Sequence, residues 1–202
     1  MNTVKIGKRE LNRQNNQNSI LDAARECFSE AGFDKVTVRD IIRKTGLASG
    51  TFYNYFPDKQ SIFSALIEDY LQRLNAHLKE FRKNANTLEQ FINSSYLAIF
   101  TAIAEDPVIY KLVHANDKIV EDIYGSSIFG LALNSLEGDI KTAIESKIIP
   151  DLNVDFLAAS FCGVGSELGL KLAETDSDPK KAAFFATKLF LGGLHEIGAA
   201  SN

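Results

Sequence analysis

The residues with the clearest chemical potential lie between 49 and 56, in the run Ser49-Gly50-Thr51-Phe52-Tyr53-Asn54-Tyr55-Phe56. Phe52 and Phe56 are four apart, so on a helix they share one face and point inward with Leu47. The opposite face then presents Ser49, Gly50, Tyr53 and Asn54, with Thr51 and Tyr55 at its edges. Hydroxyls and a carboxamide over a glycine, on a helix too short to build a core, suit contact with phosphates and base edges. Catalytic alternatives fail on spacing. Gly163-Val164-Gly165-Ser166-Glu167-Leu168-Gly169 has neither dinucleotide-loop nor nucleophile-elbow spacing, and His77, His114 and His195 form no zinc pattern. Cys27 and Cys162 stand far apart and read as buried free thiols. No enzyme, metal or cofactor is expected.

A face of this kind has to be held by its neighbours, and the preceding sequence supplies them. Ile20, Leu21, Ala24, Cys27, Phe28 and Ala31 recur at helical spacing, with Asn18 or Ser19 available as a cap. Gly32 closes that helix and Phe33 folds back over its end. Thr37 opens the next, with Asp40 three residues on in a variant of the capping box. Val38, Ile41 and Ile42 face inward, and Gly46 ends the helix after two turns. Ser49 is expected to cap the third helix, Gly50 to Tyr55, which Pro57 stops. Two short helices around a glycine-bearing turn make a helix-turn-helix over 37–56.

The rest of the chain reads as further helices. Asp58 caps a long one from Lys59 towards Asn84, carrying an apolar stripe from Ile62 to Leu78. Others are expected from Leu88 to Glu105, from Pro107, through much of 118–148, from Val154 to Glu174, and from Pro179 to about Gly198. With 4 Pro in 202 residues and scarce two-residue alternation, the fold class is all-α. The expected organisation is a flexible basic arm (1–13), a helix-turn-helix DNA-binding domain (14–74) and a C-terminal helical domain (75–202). Net charge is −4, unevenly spread: residues 1–60 carry 10 Lys/Arg against 7 Asp/Glu, and the remainder 12 against 19. A basic front and an acidic rear fit a DNA-binding head on a body that avoids DNA. With no basic-then-apolar leader and no apolar run near 18 residues, the expectation is a cytoplasmic chain without a membrane partner.

The N-terminal stretch resembles the TetR/AcrR family of bacterial regulators. The resemblance rests on Ile20-Leu21-Asp22-Ala23-Ala24, Phe28-Ser29-Glu30-Ala31-Gly32-Phe33, Thr37-Val38-Arg39-Asp40-Ile41-Ile42, Thr45-Gly46-Leu47, Gly50 to Phe56, and Asp58-Lys59. It covers about residues 14–74 and implies a DNA-binding transcriptional regulator, most often a repressor. By its terms Thr37 and Arg39 meet the DNA backbone. Ser49, Gly50, Thr51, Tyr53 and Asn54 enter the major groove, Tyr53 and Tyr55 also bond phosphates, and Lys59 contacts a phosphate. Each position has a structural alternative: Thr37 as a cap, the tyrosines as half-buried aromatics, Lys59 as a solvated charge, Arg39 in an ion pair.

The resemblance further implies a homodimer built on the last two helices. Gly163, Gly169, Ala183, Ala186 and Gly193 would permit close approach there, and Phe156, Phe190 and Leu194 would supply packing. The alternative is that these residues lie inside one subunit. A small-molecule effector is implied for the C-terminal domain, its candidate pocket being Phe91, Tyr96, Phe100, Tyr110, Phe129 and Phe161, with His114 and Glu167 as polar groups. Ordinary core packing is the alternative at each. A DNA-binding adaptor of the same fold, positioning a protein partner without a small-molecule switch, is the competing function.

Overall fold

The computed structural model describes residues 7–82, 85–125, 137–138, 140–142, 144–147, 153–175 and 177–200, with side chains described to residue 193 apart from Arg82. The described elements are helical: α1 (Lys8–Ala31), α2 (Val38–Thr45), α3 (Ser49–Phe52), α4 (Lys59–Arg82), α5 (Leu88–Glu105), α6 (Pro107–Ala115), α7 (Asp117–Tyr124), α8 (Val154–Thr175) and α9 (Pro179–Ala200). Helical residues also occur at 137–138, 140–142 and 144–145. The chain divides into two compact units, Met1–Asp69 and Tyr70–Asn202. The division falls within α4, earlier than the boundary expected at 74.

The first unit is α1 to α3 with the opening turns of α4. Ile20, Ala23, Ala24, Cys27 and Phe28 are the buried residues of α1. Leu21 is only half-buried and Ala31 is exposed, so the core stripe is narrower than its spacing suggests. Phe28, Phe33 and Phe63 form an aromatic cluster with ring centroids 4.8 to 6.2 Å apart. Ile41, Phe52, Phe56 and Ile62 complete the core. One expectation is corrected here. Helix α1 begins at Lys8 with Gly7 as its cap, so the second half of the expected arm is helical and Asn18 and Ser19 are interior positions.

In the second unit α5 is the central helix, burying Ile92, Ser95, Tyr96, Ala98, Phe100, Ala102 and Ile103. That is more than one stripe, as a helix covered on several sides requires. It packs against α8 and α9, and α6 packs against α8. The α5–α6 junction follows the sequence. Asp106 accepts a hydrogen bond from the Ile109 amide at 3.2 Å and Pro107 occupies the first turn. The Asp106 carboxylate, 2% exposed, also receives the Arg73 guanidinium at 2.8 Å. Helix α8 is long and apolar enough, by length and composition alone, to cross a membrane, although Glu167 and Lys171 interrupt its apolar residues. Much of that apolarity serves packing: Leu157, Ala158, Phe161, Cys162 and Leu172 are buried within the unit.

Candidate nucleic-acid interface

The helix-turn-helix is held by local hydrogen bonds that its sequence dictates. Thr37 Oγ1 accepts from the Asp40 amide at 3.3 Å, and the Asp40 carboxylate accepts from the Thr37 amide at 2.9 Å and its hydroxyl at 2.6 Å. Those two donors from Thr37, first the hydroxyl and then the amide, hold the Asp40 carboxyl below its usual value. Lys44 ties α2 to α1, its ammonium lying 2.9 Å from Glu26 and 3.0 Å from Glu30. Gly46 takes a left-handed conformation, φ 67°, which ends α2 and turns the chain. Thr45 Oγ1 then accepts from the Leu47 amide at 3.2 Å.

Helix α3 differs from expectation in its bounds. It starts at Ser49 with Ala48 as an extended cap residue, so Ser49 lies in the first turn rather than at the cap. Regular helix ends at Phe52, but the turn continues: Asn54 donates to the Thr51 carbonyl, and Tyr55 and Phe56 to the Phe52 carbonyl, at 2.9 to 3.3 Å. Tighter turns of this kind commonly finish a short helix. The facing is as the spacing predicts. Phe52 and Phe56 are buried, Ser49, Gly50, Tyr53 and Asn54 are exposed, and Thr51 and Tyr55 are half-buried at the edges. Tyr53, 53% exposed, rests edge-on against Phe52. Thr37 and Arg39 are exposed as well.

Two residues have partners that the sequence did not disclose. The Lys59 ammonium donates to the Phe33 carbonyl at 2.7 Å and lies 4.2 Å from the centre of the Phe33 ring. It thereby fastens the α1–α2 turn to the start of α4. Tyr55 accepts a hydrogen bond from Asn16 Nδ2 at 3.1 Å, a residue that lay outside the expected site. No pattern signals a pairing across 39 positions.

In the second unit three of the candidate effector residues, Tyr96, Phe100 and Phe161, form a packed stack. Tyr96 lies 4.1 Å from Phe161 and 5.8 Å from Phe100, ring centre to ring centre, and Phe190 meets both Tyr96 and Phe161 edge-on. The hydroxyls of Tyr96 and Tyr110 donate to the carbonyls of Phe161 and Ser166. Burial pushes the Tyr96 phenol well up, that of Tyr110 up to about 12 and the Cys162 thiol up to about 11. Phe91 and His114 are half-buried, the His114 ring lying 6.2 Å from that of Tyr110, and Glu167 is exposed. Phe129 lies outside the described residues.

The small residues expected at a dimer face divide in two. Ala183, Ala186 and Gly169 are buried in their own subunit, so they correct that expectation. A Cβ on Gly169 would stand 2.6 Å from Ile103 and 2.8 Å from the Tyr110 hydroxyl. Gly163 and Gly193 are exposed, Phe190 is half-buried in the stack, and the side chain of Leu194 lies outside the described residues. Phe156 is 75% exposed, together with Phe184, Phe185 and Leu189, which the sequence reading passed over.

Fold and site together define an all-helical protein with a helix-turn-helix head. Residues 20–66 match the family model for bacterial regulatory proteins of the tetR family. Among curated proteins, the chain is 42% identical over 57 residues to the HTH-type transcriptional repressor Rv1474c of Mycobacterium tuberculosis, covering 28% of this chain and 30% of that protein. It is 25% identical over 121 residues to the nucleoid occlusion factor SlmA of Actinobacillus pleuropneumoniae, 59% of each. The matched stretches thus span about 30% to 59% of the length of these relatives. Among solved structures, the fatty acid degradation regulator FadR from Bacillus halodurans superposes with a TM-score of 0.76 at 20% identity, covering 95% of this chain and 98% of that one. FadR from Bacillus subtilis, solved with stearoyl-CoA, gives 0.72 at 24% identity, over 88% and 99%. Residues 20–66 are thus similar to the DNA-binding head of bacterial regulators of the tetR family, and the fold of the whole chain is similar to that of the FadR structures.

Proposed function

We propose that this protein is a transcriptional regulator, most often acting as a repressor, that binds a palindromic operator as a homodimer in the cytoplasm. The observation that carries the reading is the outer side of the α3 turn. Ser49, Gly50, Tyr53 and Asn54 are exposed while Phe52 and Phe56 anchor the same turn from beneath. Thr51 and Tyr55 flank that surface, and Thr37 and Arg39 reach phosphates from the start of α2. Exposed hydroxyls, an amide and an arginine are the groups that bond phosphates and base edges. Lys59 contributes to the phosphate contact through the donors left after it binds the α1–α2 turn. In a two-fold dimer the recognition turns would enter successive major grooves roughly 34–36 Å apart. Phe156, Phe184, Phe185 and Leu189 are the exposed apolar groups such an association would cover.

Residues 75–202 would hold the effector, a small and largely apolar molecule. Aromatic surroundings support that chemistry, as do fold neighbours described with stearoyl-CoA and as a ketosteroid regulator. A coupling of roughly 1–3 kcal/mol would weaken operator binding about 5- to 150-fold. Release by highly charged metabolites alone would refute an apolar effector. The adaptor reading draws on two observations: the rings from Tyr96 to Phe190 pack against one another, and the SlmA match runs well beyond the head.

The test is selection of genomic fragments by the purified chain at stated salt, followed by Tyr53→Ala. We expect the parent to recover a small set of related duplexes and the variant, equally helical, to lose at least tenfold in affinity, about 1.4 kcal/mol. Equal binding by both would remove the recognition surface from the account.

A further inference from the structure

The first half of α1 is helix without a core. No side chain of residues 8–19 is buried, burial begins at Ile20, and before it only Asn16 is half-buried. So short a stretch gains nothing from packing, and Asn12, Asn15, Asn16 and Asn18 are poor helix formers. What it does present is a polar face. Arg9, Asn12, Arg13 and Asn16 recur at intervals of three and four, which places them side by side. They line a groove of about 730 Å3 together with Asn54 and Tyr55, from the end of the recognition turn. The Asn16–Tyr55 hydrogen bond sets the two sides in register. Among the described residues neither arginine is held in an ion pair, and Glu10, the carboxylate at this groove, is exposed.

We infer that this groove seats the sugar-phosphate backbone of the DNA flanking the bases read by the recognition turn. Arg9 and Arg13 would meet phosphates, with Asn12 supplying an amide donor. The inference rests on the DNA-binding reading and extends it, making the α1 extension a second contact element. The donors suit that occupant: planar guanidinium groups pair with phosphate oxygens in two-bond fashion, and amides and phenols are common backbone partners. Continuity points the same way, because Asn54 and Tyr55 belong both to the recognition surface and to the groove. An apolar ligand would find few partners among these residues.

The experiment uses the full chain and a duplex that the parent selects from genomic DNA, in a long form and in forms trimmed from both ends. The parent should lose affinity as the flanks are removed. Arg9→Ala/Arg13→Ala should bind the long duplex more weakly and be insensitive to trimming. Its slope of log affinity against log salt should be shallower by about 1.8 per protomer, two phosphates at about 0.9 each. Raising salt from about 50 to 200 mM would then weaken the parent roughly tenfold more than the variant for each protomer engaged. Arg9→Lys/Arg13→Lys, keeping the charge, should retain most of the slope, and Arg9→Gln/Arg13→Gln guards against a fault peculiar to alanine. If both neutral pairs keep the parental slope and flank dependence while Tyr53→Ala loses binding, the groove is not a backbone seat and the recognition surface stands. If the parent selects no duplex, the DNA-binding reading fails and this inference with it.

Discussion

The two units of the chain use aromatic residues in opposite ways. In the head, Phe28, Phe33, Phe52, Phe56 and Phe63 are buried, and Tyr53 stands out among exposed hydrogen-bonding groups. The body also buries a stack, Tyr96 with Phe100 and Phe161, yet leaves Phe156, Phe184 and Phe185 in solvent. Exposed large apolar residues on two helices are what a partner surface would offer, and exposed polar residues over an apolar anchor are what a surface for a polar ligand would offer. A function assigned to the head can therefore be read from what projects. One assigned to the body depends on what comes to cover it.

The largest effects should come from the buried anchors and should be alike in both units. Phe28→Ala removes the ring at the centre of the head cluster and should cost about 3–5 kcal/mol. Asp106→Ala strips the cap from α6 and removes one partner of the partly exposed Arg73 guanidinium, for a loss of about 2–4 kcal/mol. Urea unfolding of the full chain measures both. A loss under 1 kcal/mol for either would mean that its unit tolerates the gap.

Next comes the contrast between inward and outward positions of the body. Gly169→Ala pushes a methyl group against Ile103 and Tyr110 and should destabilise the fold by about 1–3 kcal/mol. Phe156→Glu, on the exposed side, should leave the unfolding midpoint of dilute protein nearly unchanged while shifting sedimentation from dimer to monomer. Unaltered sedimentation would take Phe156 out of the interface.

The smallest effect belongs to the capping box. Thr37→Ala should cost about 1 kcal/mol, visible as a lowered urea midpoint. Because the Asp40 carboxyl is held below its ordinary value, the stability it adds is present above the unfolded value of about 3.9 and lost as pH falls through the lower folded one. Asp40→Asn should accordingly flatten the acid side of a thermal-stability profile. An unchanged profile would show that the Thr37 bonds do not discriminate the charged carboxylate.

Much of the head was legible from residue type alone. A threonine three residues before an aspartate, a glycine where the helix must turn left-handed, and phenylalanines four apart fix their own geometry through bonds between near neighbours. The facing of the recognition turn followed from these. The bounds of α3 did not, because the Ala48 backbone and the tight turns after Phe52 decided where regular helix begins and ends. The TetR-family resemblance likewise lay in the head, in local motifs.

Other features depended on which distant residue came near. Periodicity shows that a helix has a face but not what covers it, so Ala183, Ala186 and Gly169 read equally well as an interface or as a core. Tertiary packing turned them inward and left Phe184, Phe185 and Leu189 outside. It also gave Lys59 its carbonyl and brought Asn16 to Tyr55. Local hydrogen bonds are written within a few residues and survive reading in one dimension; burial and long-range pairing are properties of neighbours that only the folded chain assembles.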